Sequence, residues 1–256
     1  MLLVQRGWVA RNFLDRNEAL NEASQNLKSI EAKQLIQDAM KDSFYVIRAK
    51  AINSLNPMSI NEAVEKNIYT IAKSDPSYMV REEAINAIGA LNKEKYKNDF
   101  INWSKDSSYT IAGAALEALD AIDSVASYQI AKVASKAPIK KRLNTVVTKL
   151  LTKYGDESEF DFIANKYESL NIQSEEKFQM TQHFAALLMK TKDADKFKRG
   201  IDIIVAFRES IPGQYRTQTD PYFNGKVLGE ILKAKKQKGE NELVKLVSAA
   251  LPVLIK

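Results

Sequence analysis

Apolar residues recur three and four positions apart along most of this chain, and strict apolar–polar alternation is nearly missing. Such spacing puts the apolar side chains on one face of a helix. The pattern therefore predicts an all-α fold, with amphipathic helices separated by short breaks. Pro57 and Asn92-Lys93 mark two of those breaks, and Gly155 and Pro212-Gly213 mark two more. NEAVEKNIYTIAKS and KEKYKNDFINWSK are amphipathic helices of this kind.

Three stretches share one finer pattern: DSFYVIRAKAINSL from Asp42, DPSYMVREEAINAI from Asp75 and DSSYTIAGAALEAL from Asp106. Tyr stands three residues after each Asp (Tyr45, Tyr78, Tyr109). A β-branched residue stands five after it (Ile47, Val80, Ile111), and Ala nine after it (Ala51, Ala84, Ala115). Arg48 and Arg81 occupy the sixth place in two copies, where the third has Ala112. Starts roughly 33 and 31 residues apart are the signature of stacked supersecondary units. Each copy reads as the second helix of a helical hairpin.

Asp in that place is expected to cap the following helix, its carboxylate accepting from a first-turn N–H. Pro76 is expected at the first helical position, where its missing N–H costs nothing. The Arg has the shape to fork between a neighbouring unit's Asp carboxylate and backbone carbonyls, which would make Asp42, Arg48, Asp75, Arg81 and Asp106 a structural ladder. These copies resemble HEAT repeats. The resemblance implies helical hairpins stacked into a curved α–α superhelix, an architecture that serves many functions.

Around the copies, Asp15 with Glu18 three residues later predicts a capped helix start, with Ala19, Leu20 and Ala23 inward. A further helix is expected from about Ser29 to Lys41. After Ile122 the register loosens: Ser124–Ser135 and Ile139–Tyr154 read as a degenerate pair that keeps only Arg142 near the Arg place. Helices are then expected from Asp156, from Ser174, over Ala194–Ile211, over Tyr222–Lys238 and over Glu240–Ile255. IPGQYRTQTDPYFNG is the longest polar, turn-rich interruption and is expected to be a loop. The reading is one domain over 1–256, regular over about 29–122 and degenerate over 123–256, excised from a larger protein.

Composition narrows the chemistry. The absence of Cys excludes disulfides and thiolate metal sites, and no apolar run approaches a membrane span. Leu2, Leu3 and Val4 run straight into Gln5 and Arg6, so no signal peptide is expected, and the compartment stays unassigned. The net charge of +6 is uneven: residues 1–128 have 15 Lys+Arg against 17 Asp+Glu, and residues 129–256 have 23 against 15. A Lys-rich solvated surface accounts for that excess, and nucleic acid is not an expected partner. A single His, His183, lies in an apolar helix and is expected to pack there rather than bind metal. No phosphate loop, dinucleotide fingerprint or nucleophile elbow occurs. Trp103, with Phe100, is expected in the core, and Trp8 at an end of the stack or against a preceding domain.

The two ends of the chain carry a second resemblance. WVARNFLDRNEAL, Trp8 to Leu20, is similar to the segment that begins the C-terminal helical domain of M1-family zinc aminopeptidases, through Asp15, Arg16, Glu18 and Ala19. IPGQYRTQTDPYFNGKVLGEIL, Ile211 to Leu232, is similar to that domain's closing helices. The resemblance implies a domain without its own catalytic, cofactor or metal residues, which caps the active site of a separate catalytic domain and limits peptide access. Zinc would belong to that catalytic domain of the same polypeptide, the expected partner, with peptides as further ligands and no membrane. Trp8, Asp15, Arg16, Tyr215, Arg216 and Asp220 are then candidate interdomain contacts. Two alternatives stand beside it: a free-standing HEAT-like protein-binding scaffold, and a HEAT-like DNA glycosylase drafting Trp103 and Asp106.

Overall fold

The computed structural model describes residue 8, residues 12–57 and residues 60–251, and among these residues all regular structure is helical. The leader reading of residues 2–6 and the end of the helix expected to reach Ile255 lie outside the described residues. By its internal contacts the chain divides into two compact units, 1–146 and 147–256. The division falls inside a helix rather than at 122, where the repeat register loosens.

The first unit contains α1 (Phe13–Gln25), α2 (Ile30–Ala39), α3 (Tyr45–Asn53), α4 (Glu62–Ser74), α5 (Tyr78–Gly89), α6 (Lys97–Trp103), α7 (Tyr109–Ile122), α8 (Ser124–Ala134) and the start of α9 (Lys141–Tyr154). Helices α2–α3, α4–α5 and α6–α7 are the three hairpins. The β-branched place of each copy is fully buried, as Ile47, Val80 and Ile111, and so is the Ala place, as Ala51, Ala84 and Ala115. Small residues set how near the second helices come. A Cβ on Gly89 of α5 would stand 2.7 Å from that of Ala118 on α7, so the two backbones meet where neither has bulk.

The first helices are tied separately. Glu65 of α4, 3% exposed, accepts from Tyr96 Oη at 2.6 Å and pairs with Lys93 and, at 2.9 Å, with Lys95. All three partners belong to the approach to α6. Tyr69 Oη donates to Asp99 at 3.1 Å beside them. Trp103 packs partly buried against Phe100 and Tyr69, with ring centroids 5.9 and 6.2 Å away.

The second unit holds α10 (Phe160–Ser169), α11 (Glu175–Lys190), α12 (Ala194–Ser210), α13 (Gly213–Pro221), a π-helical stretch Tyr222–Gly229, α14 (Glu230–Gln237) and α15 (Asn241–Ala250). Its core is aromatic: Phe160, Tyr167, Phe184, Phe197, Phe207 and Phe223 are all buried. The loop expected over 211–225 is instead helical. Pro212 precedes α13, and Pro221 ends the ordinary i→i+4 ladder because it has no N–H to donate. The chain answers by widening into a π-helix instead of breaking. Gly229 permits this, since a Cβ there would lie 2.5 Å from the Asn224 carbonyl oxygen.

Candidate functional site

The N-terminal ends of α3, α5 and α7 start alike. The caps are Phe44, Ser77 and Ser108, none with a side-chain capping bond. Each repeat Asp instead stands two residues earlier and accepts from the cap residue's own N–H. The distances are 2.7 Å from Phe44 to Asp42, 2.9 Å from Ser77 to Asp75 and 2.8 Å from Ser108 to Asp106. These are Asx turns, which fix the chain's entry angle and leave the first helical turn open. Pro76 accordingly precedes α5 rather than starting it.

Counted from the caps, α1 falls into the same register. Its cap is Asn12, whose side chain accepts from Asp15 N–H at 2.8 Å, so Asp15 stands three residues inside the helix. One residue after the cap come Phe13, Tyr45, Tyr78 and Tyr109. Four after it come Arg16, Arg48, Arg81 and Ala112, and seven after it Ala19, Ala51, Ala84 and Ala115. Helix α1 is thus a fourth member of the second-helix row. The signal was present in the aromatic-x-x-Arg of Phe13-Leu-Asp-Arg16 and in Ala19. It is hidden because Ala10 stands at the place of the opening Asp, two residues before the cap.

Two rungs of the Arg–Asp ladder are closed. Arg16 Nε and Nη2 donate to the Asp42 carboxylate at 2.8 and 3.2 Å. Arg48 Nε and Nη2 donate to Asp75, both at 2.8 Å, and its Nη1 donates to the carbonyls of Asp42 and Ser43. Pairing with Asp75 raises the Arg48 pKa. The third rung is open. Arg81 Nε is shielded from solvent and has no hydrogen-bond partner, and among the described residues no carboxylate pairs with Arg81. A donor left in that state costs about 1–3 kcal/mol. Beyond it Ala112 has no guanidinium to continue the ladder. Arg142, from the start of α9, reaches back instead to Glu82, Asn86 and Glu117 at 2.6, 2.9 and 2.8 Å.

Beside the ladder lies a run of uncovered apolar side chains. Phe13, Leu14, Phe44, Tyr45, Tyr78 and Met79 are all exposed, Leu14 to 71% and Tyr78 to 48%. Phe13 and Phe44 meet edge to face with centroids 4.9 Å apart, and Phe44 lies 5.3 Å from Tyr45. Tyr109 closes the series by donating to the Pro138 carbonyl at 3.2 Å. Scattered exposed apolar residues are ordinary, but five of these, Phe13, Leu14, Tyr45, Tyr78 and Met79, occupy the first two positions of three adjacent second helices.

The remaining candidate contacts are largely engaged within their own units. Trp8 is partly buried against the core of the first unit. In the second, Asp220 is buried and held by Arg208 Nε and Nη2 at 2.8 and 2.9 Å, which lowers its pKa. Arg216 donates to the Ile211 and Glu209 carbonyls, whereas Tyr215 is half exposed. An open cleft of about 650 Å³ lies over α12, lined by Ile172, Lys177, Ile203 and Phe207 among others. Its one buried charge, Lys177, is spent on the Leu170 carbonyl and the faces of Tyr167 and Phe207. His183 is exposed on α11 rather than packed, and no group of His, Asp or Glu suited to a metal ion occurs among the described residues.

No protein-family model matches the chain, and no curated protein matches it. It is similar in structure to YibA of Escherichia coli, a HEAT-like helical protein known from an X-ray structure. The TM-score is 0.56 at 17% sequence identity, over 98% of this chain and 91% of YibA. The likeness extends to the fold: this chain is all-α, with HEAT-like helical hairpins.

Proposed function

We propose that the chain is a protein-docking domain and that its working surface is the row of second-helix starts in the first unit. The observation that supports this reading is the register of the exposed side chains. Phe13, Tyr45 and Tyr78, with Leu14 and Met79 beside them, recur at the same two positions of successive helices and stay uncovered. Aromatic and Met side chains are the residue types that dominate binding energy when a partner desolvates them. Repeat stacking places them side by side, on rigid helices, at no cost in mobile loops.

In its finer form the partner is the catalytic domain of an M1-type zinc aminopeptidase on the same polypeptide, and the docked domain governs peptide access to it. This rests on the resemblance of Trp8–Leu20 and Ile211–Leu232, with exposed Tyr215 as a second contact in the other unit. Zinc and the catalytic groups would then belong to the partner. The test is binding in trans. The chain and the triple variant Tyr45→Ser/Tyr78→Ser/Met79→Ser are each titrated into such a catalytic domain. Micromolar binding that the variant loses while keeping its melting temperature is the expected result. Absence of binding at high micromolar concentration would remove the aminopeptidase form. Binding that survives in the triple variant would remove the surface.

A further inference from the structure

The docking surface contains one charge that the fold does not use. In the row of second helices, three guanidiniums occupy the same place, four residues inside the cap. Arg16 and Arg48 are each closed by the carboxylate of the next unit, whereas Arg81 holds a solvent-shielded Nε with no acceptor. The carboxylate at the matching place, Asp106, accepts from the Ser108 N–H. Among the described residues no carboxylate neutralises the Arg81 guanidinium. Tyr78 precedes it by three residues, hence on the same face of α5, whereas Met79 stands on the adjoining side of the helix start. Both are exposed.

We propose that the two terminal nitrogens of Arg81, which have no partner among the described residues and are not shielded as its Nε is, receive an acidic side chain of the docked protein, in a two-point site that also takes an apolar side chain against Tyr78. The inference rests on the docking reading and adds the chemistry of the partner segment to it. Three residues along a helix rise about 4.5 Å. In an extended segment, side chains two residues apart share a face and lie about 6.6 Å apart, a difference the long Arg side chain spans. The segment so recognised is apolar-x-acidic in extended conformation. The guanidinium selects acid over amide, because it forms with a carboxylate paired, charge-assisted bonds that an amide cannot reproduce.

The experiment uses two fluorescein-labelled peptides, Ala-Phe-Ala-Asp-Ala and its Asn counterpart, both N-acetylated and amidated, titrated with the full chain and with Arg81→Gln. The acidic peptide should bind at least tenfold more tightly than the amide, and Arg81→Gln should abolish that difference. Thermal melts accompany the titrations: Arg81→Gln should melt no lower than the parent chain, since no intrachain pair is lost. Equal binding of the two peptides, or no binding of either at 1 mM, overturns the proposal. So does a fall in melting temperature as large as that of Arg48→Gln, which would make Arg81 a closed structural rung. The docking reading itself is read separately. If both peptides bind equally and Met79→Ser with Tyr78→Ser removes that binding, the surface stands and only its acidic preference is lost.

Discussion

Arg48 closes on Asp75, 27 residues ahead, through two parallel 2.8 Å bonds, and neither side chain is more than 12% exposed. The pair clamps the start of α3 to the start of α5. At this burial its removal strands a carboxylate in poor solvent, so Arg48→Ala should cost about 2–4 kcal/mol. Arg48→Lys should recover less than half, because an ammonium cannot fork across both oxygens. Denaturant melts measure both, and a loss below about 0.5 kcal/mol would reduce the rung to an ordinary surface pair.

The buried Glu65 gives the first unit a pH signature. Bonds from Lys93 and Tyr96, with Lys95 beside them, lower its pKa to about 2 from an ordinary 4.5. A depressed carboxylate contributes stability that is complete above its unfolded pKa and vanishes as pH falls through its folded one. The contribution is on the order of 3 kcal/mol. It should therefore decline between about pH 4.5 and 2. Glu65→Gln should lower stability at pH 7 and show a flatter decline in that window. Parallel curves for the two proteins would contradict this.

Two glycines should respond in opposite directions to the same change. A Cβ on Gly113 would stand 2.8 Å from Leu143 N and 2.9 Å from the Arg142 carbonyl carbon, backbone atoms that cannot step aside. Helix propensity gains about 1 kcal/mol from Gly→Ala, and overpacking against backbone costs about 1–3, so Gly113→Ala should destabilise and shift Arg142. Gly213 has nothing within 4 Å and helical geometry. Gly213→Ala should stabilise by about 0.5 kcal/mol.

Tyr78→Ser and Met79→Ser remove exposed apolar surface. Each should change stability by less than about 0.5 kcal/mol. A loss above 1 kcal/mol for either would mean that the fold uses these side chains, and the row would no longer be a surface held for something else.

The repeats were legible because a helix start, a buried Ala and a buried β-branched residue recur together in three copies, and Ile47, Val80 and Ile111 lie where that pattern puts them. What failed was finer. Asp before a helix has two local uses, and composition does not separate a cap from an Asx turn; the cap residue's own N–H decided it at Asp42, Asp75 and Asp106. IPGQYRTQTDPYFNG carries turn residues throughout, yet a π-helix absorbs Pro221 once Gly229 lets the Asn224 carbonyl approach. Arg81 was indistinguishable from Arg48 in sequence, since both follow Tyr by three residues. Whether a guanidinium finds its carboxylate depends on distances between helices, which the local pattern does not contain.

One ladder thus has closed rungs that hold the fold and an open one that does not. Double-mutant cycles test it most directly. The Arg48→Ala/Asp75→Ala cycle should return a coupling of about 2 kcal/mol or more, and the Arg81→Ala/Asp106→Ala cycle a coupling within about 0.5 kcal/mol of zero. Equal couplings at the two rungs would contradict the account.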